Sequence, residues 1–489
     1  MNAVSEKVNL DDVKIDPAWA LRVPSGIAMR RLALPLCVVG DELVTAMADA
    51  DDKQTADAVA KAAGKPVHAV SADPQQLRKI LLSVYGDARA GASVRAGVSS
   101  EDPVVIVDNL LRAATMRLAS DVHMDPERTG FRIRMRVDGQ LEEFMRLPSD
   151  MQAAVSSRVK VMAGLDIAER RAPQDGAFVW SMPGNTRQRP FDVRVATLPV
   201  RFGERITLRM LESGSTRHSL ESLGMSERHL ERFRSVLARP HGLVLLTGPT
   251  GSGKTTTLYA AIRHLLDGAS LNILTVEDPV EYEIEGIAQV EVDSGDKVNF
   301  SKALRSLLRH DPDVVMIGEI RDSESLDTAV KAALTGHLVL STLHTNNAVS
   351  AVTRLSDMGL APHLAAATLR LSAAQRLVRR LCPHCRTPYT VTESESAALG
   401  VPSAAGMTAY RPCGCLACAG RGYSGRTGLF EFMAPDSEIA SLIAAGSAEG
   451  EIAALLRQRR EPSLLDDAVV KIAAGETSVM EAVKTAVTE

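Results

Sequence analysis

The sequence predicts a multidomain α/β protein, on three observations. The chain has 489 residues, more than one hydrophobic core organises at roughly 100–200 residues per domain, so about three domains are expected. Between Leu243 and Thr342, short apolar segments alternate with helical patterns, as in a mostly parallel sheet covered on both faces. Two Cys-x-x-Cys pairs, Cys382–Cys385 and Cys415–Cys418, then mark an insertion with metal-ligand spacing.

Composition narrows the class. Hydrophobic residues make up 45% and charged residues 24%, which is ordinary for a globular protein. Aromatics are only 3%, so the cores must come mainly from Leu, Val, Ile, Ala and Met. The net charge of -4 gives no basic bias towards nucleic acid. No apolar run reaches the ~18–20 residues of a membrane-spanning helix. Met1–Leu21 mixes charged with apolar residues and lacks the apolar centre of a signal peptide. A cytosolic chain is therefore expected. In a reducing compartment, cysteines clustered between Cys382 and Cys418 suggest metal rather than disulfides.

In chain order, residues 1–86 read as a small N-terminal domain. From about Arg31 to Tyr85 it shows strands at Leu43–Met47 and Pro66–Val70 and helices at Thr55–Ala63 and Gln75–Tyr85. Residues 87–102 have the Ala/Gly/Ser composition of a linker. Residues 103–212 form a second domain, with a helix over Val105–Leu118 and strands at Gly130–Val137, Gln140–Arg146, Phe191–Thr197 and Glu204–Met210. Arg132, Arg134 and Arg136 alternate with Phe131, Ile133, Met135 and Val137, the period of a half-buried strand with a basic face. Residues 213–224 read as a hinge. Residues 225–381 form the alternating α/β core, whose first helix has Ser226 as its N-cap. Residues 382–425 are the Cys/Gly-rich insertion, and 426–489 end the chain in Ala/Leu-rich helices.

The most specific signal lies at the end of the apolar strand Leu243–Thr247. Gly248, Pro249, Thr250, Gly251, Ser252, Gly253, Lys254 and Thr255 match G-x-x-x-x-G-K-[ST] between a strand and a helix. Glycines let successive backbone N–H groups turn inward around an anion, and the helix N-terminus adds its partial positive charge. Lys254 then reaches the β- and γ-phosphates of a nucleotide, the Thr255 hydroxyl binds Mg²⁺, and Thr256 completes the contact. Hydrolysis also needs a carboxylate near the attacking water. Glu319, ending the strand Val314–Ile317, is one candidate, and Glu277 with Asp278, ending Leu271–Val276, is the other. His337 and His344 flank the strand Leu338–Thr342, and Arg305, Arg309 and Arg321 offer charge for a transferred phosphoryl group. Each cysteine pair can fill two corners of a zinc tetrahedron. The 29-residue interval between the pairs, 386 to 414, exceeds the usual ribbon spacing, and His384 and Cys413 remain spare ligands.

Long blocks in order make the chain resemble the secretion ATPases of type II secretion and type IV pilus assembly. They include Ala119–Pro126, Ala168–Gly176, Gly203–Arg209, Thr275–Glu281, Arg309–Asp322, Leu334–Asn346, Gln375–Leu377, the paired cysteines and Gly422–Gly428. The resemblance implies a RecA-like P-loop core preceded by an α+β, PAS-like domain and a small N-terminal α/β domain, with a zinc-binding insertion. By the same resemblance, Glu277 belongs to an acidic box, and Glu319 is the Walker B glutamate. His337 and His344 sense the γ-phosphate, and Arg194 and Arg209 are brought to the nucleotide by the preceding domain. It implies a homohexamer acting on an inner-membrane platform protein and docked through residues 1–86 to the cytoplasmic domain of a membrane protein. The chain would then be peripheral to the inner membrane, with ATP, Mg²⁺ and Zn²⁺ as its ligands. Retraction motors of this class typically lack the paired cysteines, so Cys382–Cys418 favours secretion or pilus assembly. A DNA-translocating ATPase would call for a basic chain or an aromatic-lined channel, and the charge and composition oppose it. A non-hydrolysing scaffold would not need Lys254, Thr255, Glu319 and both histidines together.

Overall fold

The computed structural model describes residues 7–85, 102–182, 190–212, 218–268, 270–292 and 300–486. The expected linker, except for Asp102, and the first five residues of the expected hinge lie outside them. The described chain divides into two compact units. The first takes residues up to 212 together with 381–387 and 411–424; the second takes 218–380, 388–410 and 425–486.

The first unit opens with a four-stranded sheet in the order Lys7–Val8, Val67–Ala72, Glu42–Met47, Ala33–Val39. Helices Lys53–Ala63 and Pro74–Tyr85 cover it, with Val59, Leu77, Leu81 and Val84 buried against Leu34, Leu36 and Leu43. Next comes a six-stranded antiparallel sheet with Ala119–Glu127 paired between Gly130–Val137 and Gly203–Glu212. Helices Pro103–Met116 and Gln152–Met162 pack on its apolar face. Along Gly130–Val137 the burial alternates at every residue, as the sequence predicts. The arginines on its open face meet acids of the neighbouring strand: Arg132 with Glu127 at 2.9 Å and Arg134 with Asp125 at 2.6 Å. The basic face is therefore neutralised within its own sheet. Strands Ala119–Glu127 and Gln174–Trp180 escaped the periodicity reading: in the first, alternation is confined to Val122–Asp125, and in the second, apolar Ala177 and Val179 stand on the exposed side.

The second unit is built on a seven-stranded sheet, ordered Ala288–Glu291, Ile273–Glu277, Val314–Ile317, Leu338–Leu343, Gly242–Thr247, Leu369–Leu381, Tyr423–Met433. Strand Gly242–Thr247 pairs in parallel with both of its neighbours. Every residue of Gly242–Thr247, Ile273–Glu277, Val314–Ile317 and Leu338–Leu343 is buried. The two pleat faces feed different cores: Leu243, Leu245, Val315 and Ile317 enter one, and Val244, Leu246, Val314 and Met316 the other. This is the two-sided coverage that continuous apolar strands demand. Ser226 caps helix Glu227–Leu237 by accepting from the His229 N–H at 3.2 Å. Four short helices from Ser437–Ala444 to Val479–Thr485 complete the unit. No helix among the described residues is long and apolar enough to cross a membrane.

A candidate nucleotide site at the carboxyl edge of a parallel sheet

Strands in one parallel sheet end at the same edge, so loops that follow them share a crevice. Gly248–Gly253 follows Gly242–Thr247 and leads into helix Lys254–Gly268. Its path depends on glycine at two positions. Gly248 has φ +147°, and a Cβ there would lie 2.5 Å from the Gln375 carbonyl. At Gly253, φ is +89° and a Cβ would lie 2.8 Å from the Gln375 amide. Pro249, Thr250 and Gly251 are exposed, whereas Ser252 is buried. Thr255 is exposed at the first turn of the helix, and Thr256 is half-buried beside it. Gln375 also accepts from the Thr257 hydroxyl at 2.9 Å.

Lys254 is buried, and its ammonium donates to the carbonyls of Gly248 at 2.7 Å and Pro249 at 3.1 Å. Burial pushes its pKa down to about 8; Glu319 partly offsets this, and the charge of Arg376 adds to it. An ammonium held by its own loop in this way is a cation prepared for an anion.

Glu319 stands just past Val314–Ile317, three-quarters buried, and hydrogen-bonds Arg321 with one oxygen. Its other oxygen is 3.3 Å from His344 Nε2. Burial by itself would raise its carboxyl, but Arg321 and His344 hold it below the ordinary carboxylate value. Arg321 also bridges to Asp278 at 3.0 Å. Of the other two arginines, Arg305 pairs with Glu324 at 3.2 Å and Arg309 bonds locally to Ser306 and the Arg305 carbonyl.

Glu277 is 2% exposed and its carboxylate is already engaged. It accepts from the Tyr259 hydroxyl, from Thr275 at 2.6 Å and from Gln289 at 3.1 Å. Burial and the Glu277 charge push the Tyr259 hydroxyl well above its usual value, so Tyr259 remains a donor. In this arrangement Glu277 ties the helix after the phosphate loop to the neighbouring strand.

The two histidines separate. His344 follows Leu338–Leu343 at the edge that carries the phosphate loop. His337 precedes it, beside Gly242, whose N–H donates to the His337 carbonyl at 3.1 Å. Seven steps at about 3.3 Å each put the two backbone positions roughly 23 Å apart. The His337 ring meets the Ala332 carbonyl at 3.0 Å and Thr335 at 3.2 Å.

Arg194 and Arg209 belong to the first unit, where they face each other as cross-strand partners. Arg209 lies 3.4 Å from Asp121 and is well exposed.

The first unit also holds all four paired cysteines. Cys382, Cys385, Cys415 and Cys418 place their sulfurs within 4.8 Å of one another. Individual separations are 3.8 Å for Cys382–Cys415 and for Cys415–Cys418, and 3.9 Å for Cys385–Cys418. A tetrahedron with Zn–S bonds of about 2.3 Å has edges of about 3.8 Å, so the cluster fits a metal of that kind. Backbone N–H groups of Gly414 and Gly422 point at Cys385 and Cys418 at 3.3 and 3.2 Å, support expected for thiolates. Cys413 is exposed near Thr387, and neither it nor His384 joins the cluster.

Sequence reasoning assigned no role to Tyr259, Gln375 or Arg376. A usable signal existed for the last two: adjacent polar residues inside the apolar run Leu369–Leu381.

Known proteins place this architecture. A solved structure, the Legionella pneumophila ATPase DotB, shares the fold with a TM-score of 0.57 over 79% of this chain and 96% of that one, at 23% identity. Type II secretion system protein E of Dickeya dadantii is 46% identical over 78% of this chain and 75% of that protein. The type IV pilus assembly ATPase PilB of Myxococcus xanthus is 39% identical over 97% of this chain and 88% of its own length. The MshEN domain family matches residues 4–91. The family described as type II/IV secretion system protein matches residues 99–484, a span that holds the phosphate loop, Glu319, His344 and the four cysteines, and this chain belongs to it.

Proposed function

We propose that the chain is an ATP-hydrolysing hexameric motor that powers type II protein secretion at the inner membrane, by driving pseudopilus assembly. The observation that carries this reading is the convergence of Lys254, Glu319 and His344 at one edge of one sheet, with Glu319 acting on Lys254 and bonded to His344. Backbone N–H groups of Gly248–Thr255 and the Lys254 ammonium hold the β- and γ-phosphates. Glu319, kept ionised by Arg321, accepts the proton of the attacking water or orients it, while His344 reads the γ-phosphate. The Thr255 hydroxyl would hold Mg²⁺, which would supply charge neutralisation for the phosphates. Glu277 positions the acidic box from its buried network. Arg194 and Arg209 complete the site when the preceding domain closes, which couples hydrolysis to domain movement. The four cysteines bind one structural Zn²⁺, and residues 1–86 dock to the cytoplasmic domain of a membrane protein, with the platform protein as the load.

The alternative is pilus extension rather than secretion, favoured by the relative PilB, whose alignment spans 97% of this chain. Steady-state ATP hydrolysis against protein concentration tests the motor reading. Activity per chain should rise with concentration, and Glu319→Gln should reduce it by about 100-fold or more, the scale of losing a positioned proton acceptor. Concentration-independent turnover that survives the substitution defeats both the site and the oligomeric mechanism.

A further inference from the structure

A guanidinium buried away from water is costly unless its donors are used and its charge is compensated. Arg376 is 5% exposed and lies in strand Leu369–Leu381, two residues beyond Ala374, which pairs with Thr247. It therefore runs alongside the first residue of the phosphate loop, and a Cβ on Gly248 would come within 3.1 Å of its guanidinium. One terminal nitrogen donates to the Gln375 carbonyl at 3.1 Å, and the other donates to the Asn346 carbonyl at 2.7 Å. Asn346 is two residues past His344. The acid whose charge Arg376 feels is Glu431, which accepts from the N–H of Ala348 at 2.8 Å and of Leu464 at 3.3 Å. The turn after His344 is thus gripped at Asn346 by Arg376 and at Ala348 by Glu431. Thr345 closes a third tie through Thr247, the residue before Gly248.

We propose that Arg376 is a positioning residue for hydrolysis, holding the His344 turn in register with the phosphate loop. This rests on the ATPase reading above. The planar fork fixes the spacing of its two donors to the Gln375 and Asn346 carbonyls; a lysine at the same place keeps the charge but not that geometry. Arg376 also contributes to the depressed pKa of Lys254, which puts its charge within reach of the phosphate loop. Loss of the fork leaves the phosphate cradle in place while the groups that act on the γ-phosphate lose their register. Turnover should then fall with little change in nucleotide affinity.

Full-length wild type, Arg376→Gln and Arg376→Lys are compared for kcat, KM for ATP and thermal midpoint, with Lys254→Ala as the inactive control. Arg376→Gln should lower kcat by about ten-fold or more with KM within about three-fold, the scale of a misplaced catalytic group. Arg376→Lys should fall between it and wild type. Folded Arg376→Gln with wild-type kcat overturns the inference, as does a loss confined to KM or to the folded fraction. If Arg376→Gln does not fold, Arg376→Lys decides: reduced kcat at native KM supports the role, and native kcat removes it. A wild-type chain with no ATP turnover, or an active Lys254→Ala, overturns the motor reading itself and this inference with it.

Discussion

Lys254 is a buried ammonium that donates twice to the loop it belongs to, and that has a consequence in pH. Its pKa in the fold, about 8, is below the 10.5 of an exposed lysine. Between those values the unfolded chain binds more protons, so the nucleotide-free protein gains stability as pH rises through that window. Phosphates favour the charged form, so nucleotide binding runs the other way: it takes up a proton, and affinity should fall as pH rises above about 8. Calorimetry of ATP binding in buffers of different ionisation enthalpy measures that uptake. Binding without proton uptake at pH 9, or affinity level from pH 7 to 9.5, contradicts the assignment. Glu319 lies at the opposite limit, an acid held ionised by Arg321 and His344, so no loss of its charge is expected near neutral pH.

Among the elements, the helix Lys254–Gly268 and the strand Ile273–Glu277 are tied by a buried hydroxyl, that of Tyr259 on Glu277. Removing a donor from a buried carboxylate costs about 1–3 kcal/mol. Tyr259→Phe should therefore lower the stability of the second unit by that amount in denaturant unfolding, and an unchanged midpoint would show that Thr275 and Gln289 suffice. The alternation of apolar residues located Gly130–Val137, and continuous apolar runs located the four buried strands of the core, each to within a residue or two, since burial on one face leaves a period and burial on both leaves an unbroken run. It missed Leu369–Leu381, whose run is broken by Arg370, Gln375 and Arg376. Gln375 and Arg376 lie against the phosphate loop, and a local pattern carries no record of a partner more than a hundred residues away.

For the whole molecule, the cysteines are decisive. They come from two segments, 381–387 and 411–424, that group with the first unit although their neighbours along the chain belong to the second. Within that unit the Lys14 N–H donates to the Leu416 carbonyl at 3.0 Å, and a Cβ on Gly420 would collide with the Val38 carbonyl at 2.2 Å. The tetracysteine knuckle is thus packed on the N-terminal sheet. Purified protein should contain about one zinc per chain, and metal removal should lower the unfolding temperature of the first unit, because a structural site contributes its binding energy to folding. Scanning calorimetry before and after chelation reads this; metal-free protein with an unshifted trace excludes a structural metal.

The sequence by itself determined the multidomain α/β class, the phosphate loop and the paired cysteines. Each is written in contiguous residues whose spacing follows from backbone geometry: alternate faces of a strand, glycines at a tight turn, two thiols one turn apart. Tertiary structure alone decided which groups each acid meets, that His337 and His344 lie at opposite ends of one strand, and that Arg376 stands behind Gly248. Those facts depend on strand order and register, which are fixed by packing between segments distant in the chain.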